Sequence, residues 1–525
     1  MKKRIIAFGL SVLMCLPLAG CGGETNALFN KETADKLGDT GGLKLPLTDK
    51  NETVEWSITT TKEDFDQSYV AQKLKEVTGV DVKFRVVPSA MREEKLSVWI
   101  ASKDLPDIIG QGLDDNVKDD IATQGALAAV EDYMDELPNF KATFVDNKDN
   151  NWIFKSYAAP DGKLYGFYGY DWARDINVNA AMYRKDIFDK HNIPMWDGPD
   201  SFYSAMKKLK ELYPQSTPYS SKVQSDIFKT LGYSWGVNAH EPYYDEVEKV
   251  WKYTDTDPQY KDMLDFMRKL YAEKLLDPEF LTMTQAAWTS KMTQADKAFV
   301  TVDWIGRMEM FKKQAVSVPD YDLRFANPVG PKQVMQEADQ ICWARYVAKS
   351  NDDREKTAFK LLDFLLSPAG AELITMGING ETYTLDENGK AKYLEFSYAE
   401  DDMPDMNSLE SKYGMFAEGM YLKFDRRSSY FQFTEREQEA QDFAKDPSHI
   451  DPLDPVLSFT MEEKEVINDC KTKLETAGKE FASKYVLGTE TGDAAWNAWV
   501  EKANSLGAEK VITIYNEAQK RYDAN

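Results

Sequence analysis

Val54-Glu55-Trp56-Ser57-Ile58 alternates apolar and polar side chains, the period of a strand with one face against a core. Val70, Leu74 and Val77 then recur at helical spacing, and Gly79 supplies a stop. Val82, Phe84 and Val86 alternate again up to Pro88. Leu96, Trp99 and Ile100 share a helical face, and Asp107-Ile108-Ile109-Gly110 ends the series with a short apolar run. Strand, helix, strand, helix, strand at crossover spacing predicts an α/β unit, a parallel sheet with helices on both faces. Ligands of such sheets bind beyond the carboxyl ends of the strands. That rule nominates the loops at 59–61, 88–89 and 111–112, with Thr60 and Gln111 as candidate polar contacts.

Upstream, Lys2, Lys3 and Arg4 precede an apolar run over 5–16, and Leu18-Ala19-Gly20-Cys21 closes it with small residues. The run is short for a bilayer span, so residues 1–20 are expected to be a cleaved signal peptide. Its last four residues resemble a bacterial lipobox, which makes Cys21 the lipidated N-terminus and places the chain at the extracytoplasmic face of the cell membrane. Two or more acyl chains would anchor it stably. No periodicity is sustained over 21–47, where Gly-Gly occurs at 22–23 and 41–42, and this stretch reads as a tether.

Downstream, Pro160-Asp161-Gly162-Lys163 is a turn before an aromatic strand over 164–170, which opens a second α/β region. Phe202, Met206, Leu209 and Leu212 share a helical face behind a cap at Asp200 or Ser201. Asp257-Pro258 caps another helix with Met263, Phe266, Met267 and Leu270 inward. Asn379-Gly380 and Asn388-Gly389 read as hairpin turns. The last hundred or so residues are mainly amphipathic helix. Cys342, in an apolar strand-like run, and Cys470, on a charged helical stretch, are expected to be unpaired thiols.

The 525 residues carry 64 Lys+Arg against 88 Asp+Glu, a formal net charge of −24, and 42% are hydrophobic. That apolar fraction excludes disorder, and the acidic balance argues against nucleic acid as a partner. Catalytic signals are weak. There are three histidines, His191, His240 and His449, and no metalloprotease, paired-cysteine or phosphate-loop motif. Gly232-Tyr233-Ser234-Trp235-Gly236 matches a hydrolase elbow in letters only, because a helix-like run precedes the serine and no suitably placed acid and histidine follow. Asp386-Glu387-Asn388-Gly389 lacks the ligand series of a calcium loop. Adjacent acids such as Asp114-Asp115, Asp119-Asp120 and Asp401-Asp402 read as solvated surface. The chain is therefore expected not to be an enzyme, with no cofactor and no metal.

The aromatic residues say more: 12 Trp, 27 Tyr and 26 Phe, many beside polar planar groups. A ring offers an apolar face to the C–H side of a sugar while neighbouring Asp, Asn and Arg hydrogen-bond its hydroxyls. Tyr168-Gly169-Tyr170-Asp171-Trp172-Ala173-Arg174 and Asp303-Trp304-Ile305-Gly306-Arg307 have that composition. Trp172, Trp235 and Trp304 are the expected stacking platforms. Tyr170, Arg174, Asp303 and Arg307 are expected ligand partners, and Tyr383 joins them from the hairpin.

With these features in order, the chain resembles the extracellular solute-binding proteins of family 1. More narrowly it resembles the long oligosaccharide-type lipoproteins labelled aldouronate transport-system binding proteins, relatives of the alginate-binding proteins. Matching stretches include Leu105-Pro106-Asp107-Ile108, Asp161-Gly162-Lys163-Leu164-Tyr165-Gly166, the run from Leu270 to Phe280, and Gly377-Ile378-Asn379-Gly380-Glu381-Thr382-Tyr383. The tail from Phe459 to Tyr522 is similar throughout. The resemblance implies a two-lobe periplasmic-binding-protein-like α/β fold, each lobe a mainly parallel sheet flanked by helices, with a hinge and a helical C-terminal region. The lobes are expected at 48–163 plus 325–395 and at 164–324 plus 396–525. It also implies a monomer that traps an oligosaccharide by hinge closure and hands it to the permease subunits of an ABC importer. Relatives often carry a calcium loop where this chain has Pro214-Gln215-Ser216-Thr217-Pro218, so no metal is carried over. A binding protein for peptides or other solutes shares fold and anchor, and a surface glycoside hydrolase is the more distant alternative.

Overall fold

The computed structural model describes residues 26–170, 179–337, 339–350, 352, 354–396 and 404–524. Eight strands form its two principal sheets: β1 (Thr53–Ile58), β2 (Asp81–Val86), β3 (Ile108–Ile109), β4 (Gly166–Tyr170), β5 (Asn179–Arg184), β6 (Val300–Trp304), β7 (Leu323–Phe325) and β8 (Ile341–Val347). The first sheet is five-stranded, in the order β2-β1-β3-β8-β4. β1 pairs in parallel with β2 and β3, as the opening pattern predicts. β8 runs antiparallel to β3 and to β4, so β4 points the same way as β1 and all four parallel strands end on one side. The helix Tyr69–Thr78 turns Val70, Leu74 and Val77 inward, Ser68 caps its start, and Gly79 takes φ +74° at its end.

The second lobe departs from the expected parallel sheet. Its three strands run in the order β6-β5-β7, antiparallel throughout. The cause is direction of entry: β5 comes in from the first lobe, while β6 and β7 run back towards it. Among its described residues, parallel pairing is limited to single bridges of Tyr219 with Leu276 and Val300 and to the short pair of Met335–Gln336 with Ile450–Asp451. Asp257 caps the helix Pro258–Ala272 as expected, whereas the helix Pro199–Leu212 begins behind Gly198, not Asp200 or Ser201.

The chain passes between lobes first between β4 and β5, then at 326–340 and at 432–434, and this moves both expected boundaries. β4 completes the first sheet, so 164–170 belongs to the first lobe. Residues 404–431 return there as well, with Leu409, Met415, Phe416, Leu422 and Phe424 buried in the same core as Val54 and Ile108. The switch to the second lobe comes at the helix Glu435–Ala444, whose Ala440 and Ala444 pack with Leu323 and Met335 respectively. The C-terminal helices Met461–Leu487, Gly492–Ser505 and Ala508–Ala524 build on the second core through Leu474, Phe481, Trp499 and Val511. Their ends reach back: Lys464 pairs with Asp119 of the first lobe, which is buried against Lys118 and Lys464 and not solvated as expected, and Lys155 donates to Tyr522 O at 3.1 Å with its ammonium 3.7 Å from that ring's centre.

The expected tether is, from Asn26 onward, a packed strap on the first lobe. Asn26 Nδ2 donates to Thr48 O, Lys50 O and Gly79 O at 3.0, 3.1 and 2.7 Å. Asn30 caps the short helix Lys31–Ala34, Leu47 is buried, and Leu37, Leu43 and Leu45 pack against the core. Sparse leucines at irregular spacing hide such a strap from a periodicity search. Of the two glycine turns, Asn388-Gly389 tips the hairpin formed by Tyr383–Leu385 and Ala391–Tyr393, with Gly389 at φ +76°. Asn379-Gly380 is only a turn ahead of it.

Candidate functional site

The polar ends of the parallel strands in the first lobe meet the turn at 417–420. Thr59 and Glu418 exchange backbone hydrogen bonds at 2.9 and 3.1 Å. The close approach leaves no space for a side chain at Gly110, where an added Cβ would lie 2.1 Å from Ser57 O. Glu418 Oε2 accepts from Arg92 Nη2 at 2.6 Å and from Gln111 Nε2 at 2.8 Å, and Arg92 Nε donates to Thr59 Oγ1 at 3.2 Å. Thr60 is buried and gives its hydroxyl to Glu410, so it supports this wall from behind. Burial pushes the Glu410 carboxyl up, and the Glu418 charge adds to that.

Beside this network β8 extends past the end of β3, and Trp343 stands there 57% exposed. The buried Arg345 guanidinium secures its base by donating to the backbone carbonyls of Trp343, Gly419 and Tyr421. Tyr170, half-buried, ends β4 at the first crossing, where its N–H donates to Leu422 O at 2.8 Å. Lys423 and Arg426 sit next to it, and burial holds both below their ordinary pKa ranges.

The second lobe presents the end of its sheet to the same crossing, because Asn179, the first described residue after it, pairs with Trp304. Trp304 is 39% exposed. Behind it Asp303 is buried with both oxygens engaged. Oδ1 accepts from Trp304 N and Arg307 Nε, each at 2.8 Å, and Oδ2 from Lys222 Nζ at 2.6 Å and Ser225 Oγ at 3.2 Å. Burial acts to raise the Asp303 carboxyl, but Lys222 and Arg307 outweigh it and hold the group below the usual carboxylate range. Lys222 and Arg307 also flank the buried Trp288 ring, 4.7 and 5.4 Å from its centre. Asp303 therefore positions Trp304 and Arg307 and has no lone pair directed at a ligand.

The expected contacts sort unevenly on this geometry. Gln111, Tyr170, Trp304 and Arg307 lie at the facing strand ends, with Thr60 and Asp303 as supports. Trp235 does not: it is 3% exposed, tilted against Phe266 in the second core. Tyr383 is 1% exposed and gives its hydroxyl to Glu372 Oε1 at 2.7 Å inside the first lobe. A ring beside polar groups is a pattern that buried hydrogen-bonded aromatics share, and a place at a hairpin does not by itself expose Tyr383. Trp172 and Arg174 lie outside the described residues. Trp343, Arg92 and Glu418 were missed. An isolated Trp in an apolar run looks like core, and only the overhang of β8 beyond β3 exposes it. The hydrolase-like Ser234 is buried in a helical turn between Leu231 O and the Gly330 N–H.

Where the chain passes from lobe to lobe, each sheet thus ends in an exposed tryptophan, Trp343 on the first and Trp304 on the second. The model of the bacterial extracellular solute-binding proteins matches residues 69–381. The chain belongs to that family. Among curated proteins this solute-binding protein is similar to the polygalacturonan/rhamnogalacturonan-binding protein YtcQ of Bacillus subtilis (strain 168), 23% identical with 99% of each chain covered. It is also similar to the lipoprotein LipO of the same strain, 23% identical over 74% of each. Among solved structures, the alginate-binding protein AlgQ2 without calcium ion aligns at TM-score 0.70 and 21% identity, covering 92% of this chain and all of that one. A solute-binding protein of Bifidobacterium longum subsp. infantis aligns at TM-score 0.73 and 16% identity, covering 90% and 99%. At these identities the structures establish the two-lobe fold of the solute-binding protein.

Proposed function

We propose that the protein captures an oligosaccharide between its lobes and delivers it unchanged to an ABC importer, acting as a monomer anchored through acyl chains on Cys21. The observation that carries this reading is the pair Trp304 and Trp343, one from each lobe, beside the hydrogen-bonding groups Gln111, Arg92, Glu418 and Arg307. Stacking faces bracketed by planar polar groups match the two surfaces of a pyranose. The relative named for polygalacturonan and rhamnogalacturonan supports a glycan ligand, and LipO's name supports the lipid anchor. Trp172, Arg174 and Tyr170 belong to the same proposal through the first crossing. The lobe division consistent with the cores is 26–170 plus 341–431 and 179–329 plus 435–524. Affinity for the closed form is all that the task requires, so no reacting group is needed.

Titration calorimetry against neutral and uronate-containing oligosaccharides, with peptides alongside, tests this reading. Micromolar binding of a glycan with quenched tryptophan fluorescence is the expected result. Binding of peptides alone would replace the ligand class, and release of reducing ends over time would replace the binding protein by a hydrolase.

A further inference from the structure

We infer that the second lobe carries a subsite for an acetyl group, borne by the sugar that stacks on Trp304. This deepens the oligosaccharide reading and rests on it.

β5 and β6 pair Ala181 with Val302 and Asn179 with Trp304. Side chains alternate along a strand, so Ala181 and Val302 share the face of Trp304, two residues or about 7 Å further in. A short substituent on a stacked ring spans that step. A cavity of about 30 Å³ lies against this face. Its other apolar walls include Leu231, from the helix Ile227–Gly232, and Val329 and Met335, from the stretch by which the chain passes back to the first lobe. That stretch is fastened in place. Ser234 Oγ donates to Leu231 O at 2.8 Å and accepts from Gly330 N at 2.9 Å, and a Cβ on Gly330 would stand 2.2 Å from Ser234 O. Backbone contacts therefore hold the gap open.

No charged side chain lines the cavity, and its polar groups are few. The Ser234 hydroxyl is engaged with backbone, and Thr230 gives its own to Asp226 O at 3.3 Å. Tyr233 is the exception: half-buried, it makes no hydrogen bond among the described residues. Burial pushes its phenol up and the Glu241, Asp226 and Asp454 charges add to that, so it stays protonated and able to donate. The space admits a water by volume, but a buried water needs roughly two to four polar partners and finds one here.

An apolar chamber with a single donor discriminates among the groups a sugar can carry. A hydroxymethyl arm would bury a hydroxyl against aliphatic walls with its hydrogen bonds half met. A carboxylate would lack a counter-charge. A bare methyl would leave the phenol unpaired. An acetyl group brings a methyl for Ala181, Val302 and Val329 and a carbonyl oxygen that needs only a donor, whether an ester or an amide carries it.

The test is native mass spectrometry of the full chain with equimolar pairs of oligosaccharides. One arm pairs O-acetylated xylan and pectin fragments with their products of mild alkaline deacetylation. The other pairs N-acetylglucosamine oligomers with glucose oligomers of equal length, so the arms tell ester from amide. A preference of roughly ten-fold for the acetylated member of a pair is expected, the discrimination one small apolar group gives in a fitted pocket. Ala181→Val, which fills the space, should bring that ratio towards one. Should this variant fail to melt cooperatively, Tyr233→Phe keeps the ring, removes the donor, and should still lower the ratio a few-fold. Equal binding of paired members, a preference for the deacetylated ones, or a ratio unmoved in the folded variants overturns the inference and leaves the oligosaccharide reading standing. Binding of no member of any pair removes both.

Discussion

Lys222 carries its ammonium to within 2.6 Å of Asp303 Oδ2, both side chains more than nine-tenths buried, directly behind the half-exposed Trp304. Two cations, Lys222 and Arg307, thus converge on one carboxylate. Asp303→Ala leaves both without their counter-charge, and removing one partner of a buried pair costs about 3–5 kcal/mol. Chemical denaturation should show a loss of that order. Because the depressed carboxyl contributes stability above its unfolded pKa and loses it as pH falls through the folded value, the gap between wild type and variant should narrow in strong acid.

Trp304→Ala and Trp343→Ala should each weaken oligosaccharide binding by roughly 10–100-fold with little change in melting temperature, since exposed rings at a contact centre carry binding energy and little core packing. Trp235→Ala should do the reverse, destabilising the fold by about 3–5 kcal/mol through a core cavity. Calorimetry paired with thermal melts separates the two classes. Unfolding of the Trp304 variant, or unchanged affinity, would remove it from the site.

Gly306 offers a subtler lever. A Cβ there would stand 2.3, 2.5 and 2.8 Å from three atoms of the Trp304 indole. The obstructing group is a side chain with room to turn outward, so Gly306→Ala should displace the ring without unfolding the lobe. Its affinity loss should approach that of Trp304→Ala, and the double variant should be no worse than the single ones. Additive losses would show that the ring does not rest on Gly306.

Much of the first lobe is legible in local pattern because its strands are buried on one face and its helices amphipathic: the residues around Val54, Val70 and Val82 reveal period and order without tertiary knowledge. Connectivity is not local. Nothing in 164–170 or 404–431 marks which core those residues join, since Phe167 and Leu422 would fit either. Exposure at a strand end is equally invisible, as Trp343 shows, and burial of an aromatic flanked by polar residues misled for Trp235 and Tyr383.

Stability should rise as the medium is acidified from about pH 8 to about pH 5. Burial raises the carboxyls of Asp363 and Asp454 to about 6, so the folded state binds protons more tightly than the unfolded chain in this window. His240 acts in the same direction. Burial opposes its charge, but the Asp255 carboxylate at 2.8 Å prevails and raises the imidazole, whose contribution is complete below its unfolded pKa and lost as pH rises through the folded one. Melting temperatures across the range should fall towards alkali, and Asp363→Asn should flatten part of the slope. A melting temperature highest at about pH 8 would contradict the assignment.

Lys464 on the second lobe closes on Asp119 of the first, whose side chain is 1% exposed. Lys464→Met removes a contact between lobes without touching the cleft, so it should change ligand affinity by shifting the balance between open and closed forms. Small-angle scattering of the free protein together with calorimetry reads both quantities. Unchanged values in both would mean that the contact persists through hinge motion.

The interleaving of the lobes also governs how the polypeptide acquires its shape. The first core needs Val54 and Phe424, and the second needs Met182 and Val511, so neither can finish while the carboxyl half is still being made or exported. Contacts so distant along the backbone close slowly. A nascent molecule emerging amino end first must keep two unfinished hydrophobic interiors apart until residues 404–431 arrive, and the second stays open until almost its last helix, which makes truncated products prone to aggregate.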